Sequence, residues 1–246
     1  DEAALVAAAN RNYAAYVEDQ SAQLLEKTAR FVALVKVGKD DAARALYPDA
    51  RVHWERIETV AESFGDLDPK IDGRAEVEAE GMEFTGFHRL ERDLWETGLQ
   101  PDSAAMADRL LTDVTELVTR AKAVELNPLQ LANGSKALLD EIATGKITGE
   151  EERYSHTDLW DFEANVEGST AAIAALRPYL ATADPALVAT IDERGKALSD
   201  LLETYREGDG FVLYTDLTPQ DVKKLTTALD AFSEPVATVA GVVARG

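Results

Sequence analysis

Residues 2–38 read EAALVAAANRNYAAYVEDQSAQLLEKTARFVALVKVG. Leu5, Ala9, Tyr13, Tyr16, Leu24, Phe31 and Leu34 recur at three- to four-residue spacing, the period of one face of an α-helix. Gly38 stands just past the last of them, where a helix often ends in a left-handed residue. One long amphipathic helix therefore opens the chain.

The same period continues through the rest of the sequence. Asp40 begins a short helix that should stop before Pro48, because proline lacks the N–H that a helix interior needs. A further helix is expected over residues 49–64. Residues 65–81 hold Asp66, Asp68, Pro69, Asp72 and Gly73 and read as a long acidic loop, a kind of segment that is often functional. Helices are then expected over residues 84–96, 103–124, 128–144, 149–181, 185–206 and 219–244. Thr148 and Glu151 have capping-box spacing, and Asp184-Pro185 and Thr218-Pro219 each put a cap residue before a proline at the first helical position. The run from Phe211 to Tyr214 is too short to build a sheet protein. The fold class is therefore all-α, an antiparallel helical bundle in a single domain over residues 1–246. Asp93-Leu94-Trp95-Glu96 resembles Asp158-Leu159-Trp160-Asp161, and each follows a histidine, so either chance or two pseudo-repeated half-bundles accounts for the pair.

Composition narrows the function. Twenty-five basic residues face 46 acidic ones, giving a formal net charge of -21. Nucleic acid needs lysine and arginine to replace phosphate counterions, so it is excluded as a partner; cations are favoured. There is no cysteine, which removes disulfides, thiolate metal sites and cysteine nucleophiles. No stretch approaches the roughly 18 to 20 apolar residues of a membrane span. The chain lacks an initiator Met and opens in a helical run, so removal of a signal peptide, lipid anchor or preceding domain is the expectation.

The three histidines lie among carboxylates. Residues three apart share a helix face, which pairs Glu55 with Glu58, His88 with Glu91, and Asp158 with Asp161. Di-metal bundles hold ions with carboxylates and histidines in this way. In so acidic a chain the same pairs also read as solvated faces, and a lone helical histidine as structural. If they converge, burying like charges is costly, and a hard cation such as iron or manganese removes the cost; zinc and copper also accept such ligands. His88, Glu91, Glu55, Glu58, Asp158 and Asp161 are the expected ligands. His53, His156, Arg56, Arg89, Asp66 and Asp68 form a second rank, with Arg56 and Arg89 placed to orient carboxylates. Such a site must be deprotonated to bind, so affinity should fall between about pH 7 and pH 5, mainly through the imidazole. No zincin, nucleophile-elbow or phosphate-loop motif is present.

Gly86-Phe87-His88-Arg89-Leu90-Glu91 resembles the GxHxxE motif of the imelysin-like family. Residues 53–58, 64–68, 84–91 and 149–162 are closest to the phrases of its EfeO/EfeM branch. The resemblance implies a periplasmic or cell-surface helical protein of an Efe-type iron uptake system, with peripheral or lipid-anchored membrane association. It further implies iron, Fe2+ or Fe3+, as cargo, and a membrane iron permease and a dye-decolourising haem peroxidase as partners. Many relatives carry an N-terminal cupredoxin domain, and none is expected within residues 1–246. His88 and Glu91 are the positions that match the family motif. Some relatives bind alginate-like polysaccharide, which gives a competing reading; a metallopeptidase, implied by the family's name, is a third and weaker one because no separate nucleophile is visible.

Overall fold

The computed structural model describes residues 2–245. It is an all-helical bundle: α1 (Glu2–Lys36), α2 (Asp40–Glu62), α3 (Asp68–Asp72), α4 (Gly86–Arg92), α5 (Ser103–Ala121), α6 (Pro128–Glu141), α7 (Asp158–Ala183), α8 (Pro185–Glu203) and α9 (Pro219–Val243). Between α8 and α9, β1 (Arg206–Glu207) and β2 (Gly210–Phe211) form a minimal antiparallel ribbon. α1 packs on α2, α5 and α7; α6 packs on α7 and α9; α8 closes on α9.

Two apolar clusters hold the bundle. One gathers Leu24, Phe31, Tyr47, Trp54, Phe87 and Leu110 from α1, α2, α4 and α5. The other gathers Ile57, Leu139, Phe162, Leu176, Leu198 and Phe232, chiefly from α6 to α9. Trp54 and Ile57 lie three residues apart on α2 yet belong to different clusters, so the middle of α2 is the seam between them.

Several sequence signals act as expected. Gly38 has φ +72 and its N–H bonds the Val35 carbonyl, ending α1. The Asp184 side chain accepts the Leu187 N–H, and Thr218 with Asp221 makes a reciprocal capping box.

Three expectations need correction. Pro48 does not end a helix: α2 runs through it to Glu62. The missing bond and the ring clash cost about 3 kcal/mol, but Ala43, Tyr47, Ala50, Trp54 and Ile57 are fully buried along one continuous face, and that packing outweighs the loss. The acidic segment 65–81 is more ordered than a loop, holding α3 and a 3-10 helix at Ala75–Glu80. Residues 149–157 are not helical; α7 begins only at Asp158. The Thr148 hydroxyl donates to the Gly145 carbonyl instead of capping a helix, and His156 sits in the left-handed region at φ +61.

Candidate metal centre

The seam in α2 carries a polar stripe. Arg51, Glu55 and Glu58 follow one another at four- and three-residue spacing and face inward. Opposite them stand Asp72 at the end of α3, His88 and Glu91 on α4, Glu151 and Glu152 on the segment 147–157, and Asp158 and Asp161 on the first turn of α7. Eight carboxylates thus share one chamber with Arg51, Lys146 and His88 as its cations.

His88 is its centre. Its Nδ1 lies 3.0 Å from Glu91 Oε1 and 3.6 Å from Glu152 Oε2, and its Nε2 lies 3.0 Å from Asp72 Oδ1 and 3.1 Å from Glu151 Oε1. The two sides of the ring are not equivalent. Arg51 Nη1 donates to the same Asp72 Oδ1 at 2.6 Å and Arg51 Nη2 to the same Glu151 Oε1 at 3.4 Å. A cation on the Nε2 side would therefore face the guanidinium. On the Nδ1 side, Glu91 Oε1 meets His88, while Glu91 Oε2 accepts from the Tyr154 N–H at 3.2 Å and from the Ser155 N–H and hydroxyl, each at 2.8 Å. Glu91 is thus oriented through one oxygen and presents the other. Tyr47 donates its hydroxyl proton to Glu152 Oε2 at 2.8 Å.

Arg51 also binds Glu55 and Glu152 closely, and its Nε lies 3.6 Å from Asp161. Lys146 reaches Glu55 at 3.0 Å and Glu58 at 3.3 Å. The Asp158 carboxylate accepts the Glu152 N–H at 3.0 Å, and Asn165 donates to Glu55 at 3.0 Å.

The electrostatics show too few cations for the carboxylates present. Burial pushes Glu152 up to about 8, with Arg51 acting against it and Glu91 adding to it. Burial raises Asp158 to about 7 despite the Glu152 N–H. Burial together with Glu152 drives Asp161 well above the usual range, and burial together with Glu55 does the same to Glu58. Burial and the Arg51 charge oppose a proton on His88, yet Glu152, Asp72 and Glu151 lift it well above the ordinary imidazole range. Acids raised in this way give up their protons more readily with a hard cation bound among them than without one.

The segment 147–157 is fastened from outside. Tyr214, between β2 and α9, donates its hydroxyl to the Ile147 carbonyl at 2.9 Å and its N–H to the His156 carbonyl at 2.9 Å. Its ring lies so close to Gly149, at φ +76, that a Cβ there would fall 2.4 Å from it.

The other sequence candidates lie elsewhere. His53 faces α1, 2.8 Å from Gln20 Oε1, and burial followed by Lys27 and Arg56 pushes it down to about 3. His156 contributes its backbone carbonyl to the Tyr214 N–H. Arg56 pairs with Glu167, Arg89 with Asp93 and Asp102, and exposed Asp66 with Arg120. Burial, followed by the charges of Asp72, Glu62 and Glu141, raises Asp68 to about 7 at the edge of the chamber. Sequence reasoning missed Arg51, Asp72, Lys146, Glu151, Glu152 and Tyr47. Arg51 had a usable signal, since it shares the face of Glu55 and Glu58.

Gly86, the first residue of the motif, has φ +83, and a Cβ on it would lie 2.3 Å from the Ile71 carbonyl oxygen. α4 can begin against the end of α3 only because this residue has no side chain, and that contact brings His88 to Asp72. Gly86→Ala is expected to lose at least about 2 kcal/mol of stability in denaturant melts, from backbone strain and the clash. A loss under about 0.5 kcal/mol would mean that the α3 terminus yields freely.

The imelysin family profile, described as peptidase M75, matches residues 9–239. Over 94% of its length the chain is 43% identical to the iron uptake system component EfeO of Escherichia coli O157:H7. It is 42% identical to the proteins of the same name from Escherichia coli strain K12 and Shigella flexneri. Each match covers 62% of the relative, so the chain spans about three fifths of the length of the curated relatives it matches.

Proposed function

The chain belongs to the imelysin family, and on that premise we propose that it captures iron outside the cytoplasm for an Efe-type uptake system. The observation that carries the reading is the surplus of buried carboxylates around one imidazole. Iron, as Fe2+ or Fe3+, is the cargo. The ligands are His88 through Nδ1, Glu91 and Glu152, all three buried and with oxygens and nitrogen within 4.8 Å of one another. Asp72 and Glu151 accept from the other ring nitrogen and fix the ring, as carboxylates behind metal-bound histidines do. Glu55, Glu58, Asp158 and Asp161, expected as ligands from their spacing, line the same chamber beside these three. Hard oxygen donors with one imidazole also accept manganese, and zinc or copper in vitro. A membrane permease receives the ion, and a dye-decolourising haem peroxidase completes the system.

The competing readings have less support. Among the described residues no helix is long and apolar enough to cross a membrane, and the exposed large apolar side chains are Val37, Met82, Leu129 and Leu213. None of these is aromatic, so among the described residues no fully exposed ring favours the polysaccharide reading. His88 is 1% exposed and Glu91 0%, which keeps a peptide bond away from the ion and argues against hydrolysis.

A melting series with and without Mn2+ or anaerobic Fe2+ tests the reading. An acid raised by burial favours the folded chain while its proton is on, and this advantage disappears as pH climbs from the free-carboxylate range near 4 through about 8 for Glu152 and about 7 for Asp158. Cations compete for the same oxygens and gain over that interval. The rise in melting temperature on adding metal should therefore be larger at about pH 7.5 than at about pH 5, in a window reaching above the roughly 7-to-5 range of an unshifted imidazole. An equal rise at both values would contradict a proton-competing site, and no rise at either would remove the proposed function.

A further inference from the structure

α6 ends in a π-helical turn, Ile142–Lys146, and such turns frequently mark functional positions. This one turns Lys146 into the chamber. The side chain is fully buried, and its Nζ lies 3.0 Å from Glu55 Oε2, 3.3 Å from Glu58 Oε2 and 4.0 Å from Glu141 Oε2. Glu58, Glu62 and Glu141 also bring carboxylate oxygens within 4.8 Å of one another, with Glu58 buried and Glu62 exposed. That arrangement is a second set of oxygen ligands, separate from His88, Glu91 and Glu152 and reachable from solvent, and Lys146 already reaches two of its three members, Glu58 and Glu141.

We infer that Lys146 is a tethered cation that fills this second carboxylate site and limits the chamber to one metal ion. Bundles that hold two ions do so with carboxylates from several facing helices, and here α2 and α6 supply them beside the α4 motif. The lysine ammonium is a compact, strongly hydrated point charge with three donors, so it serves three carboxylates much as a small hard cation would. Unlike an ion it cannot dissociate. The ammonium therefore stays beside Glu55 and Glu58 whether or not the cargo is bound, and the cargo site works as a single-ion device. A plain structural salt bridge would predict only a loss of stability when the lysine is removed.

This inference rests on cation binding at His88, and its test separates the two. Mn2+ is titrated calorimetrically into wild type, Lys146→Met, Lys146→Arg and the double variant Lys146→Met with Glu58→Gln, with bound metal counted after gel filtration and folding followed by circular dichroism. One ion is expected in wild type, two in Lys146→Met, one in Lys146→Arg because the charge is kept, and one in the double variant because a ligand is gone. Folded Lys146→Met with a single ion, or wild type with two, overturns the inference. If Lys146→Met folds only when Mn2+ is added, two ions in the folded product support it and one overturns it. No ion in wild type with one in Lys146→Met would remove the His88 reading and keep the tethered cation; none in either would remove both.

Discussion

His88→Ala is expected to bind Mn2+ or Fe2+ at least about tenfold more weakly than wild type, or about 1.4 kcal/mol, and Glu91→Ala should do the same. His88 is the only imidazole in the chamber among the described residues, and carboxylates converge on both of its ring nitrogens. Glu91 has two tasks: Oε1 faces His88, and Oε2 anchors the backbone of Tyr154 and Ser155. Glu91→Gln separates them, because the amide oxygen still accepts those N–H groups while the charge is lost. Calorimetry is the measurement, with unchanged helical circular dichroism as the control. Wild-type affinity in both alanine variants would refute the ligand assignment.

Arg51→Met should have the largest effect on stability. The guanidinium is fully buried and binds Glu55, Asp72, Glu151 and Glu152 at once. Removing one partner of a buried ion pair costs about 3 to 5 kcal/mol, because the other charge is left uncompensated. For a chain of this size that is a fall in melting temperature of about 6 to 20 °C. Arg51→Lys should recover only part of it, since an ammonium cannot reproduce the planar fork. Added metal should restore more to Arg51→Met than to wild type, because the ion then meets carboxylates without a competing cation. Differential scanning calorimetry on the three proteins decides it; a shift under about 2 °C in Arg51→Met would mean that the chamber tolerates its charges without the guanidinium.

The long helices were legible because local rules decide them. Gly38, Pro185 and Thr218 mark ends that no tertiary contact disputes. Pro48 and residues 149–157 were misread because distant contacts overrule the local preference. Pro48 is carried by a buried face that spans both sides of it. Glu150, Glu151 and Glu152 favour a helix locally, but Glu151 and Glu152 turn toward Arg51 and His88. Within the site, His88 and Glu91 were visible from spacing, as was the shared face of Glu55 and Glu58. Asp72 and Glu151 were not, because they meet His88 across 16 and 63 residues of chain, and no local pattern encodes such a meeting. Lys146 carried no signal either, since its inward direction depends on the π-helical turn that it ends.

Tyr214 holds both ends of the segment that bears Glu151 and Glu152, one by its hydroxyl and the other by its backbone N–H. The two fastenings share one residue, so a displacement of its backbone loosens both ends of the segment together, whereas a turn of its side chain releases only the Ile147 end. Between them Glu91 keeps its own hold on the N–H groups of Tyr154 and Ser155, so the strip that bears both acids is tied from inside the bundle as well as from outside.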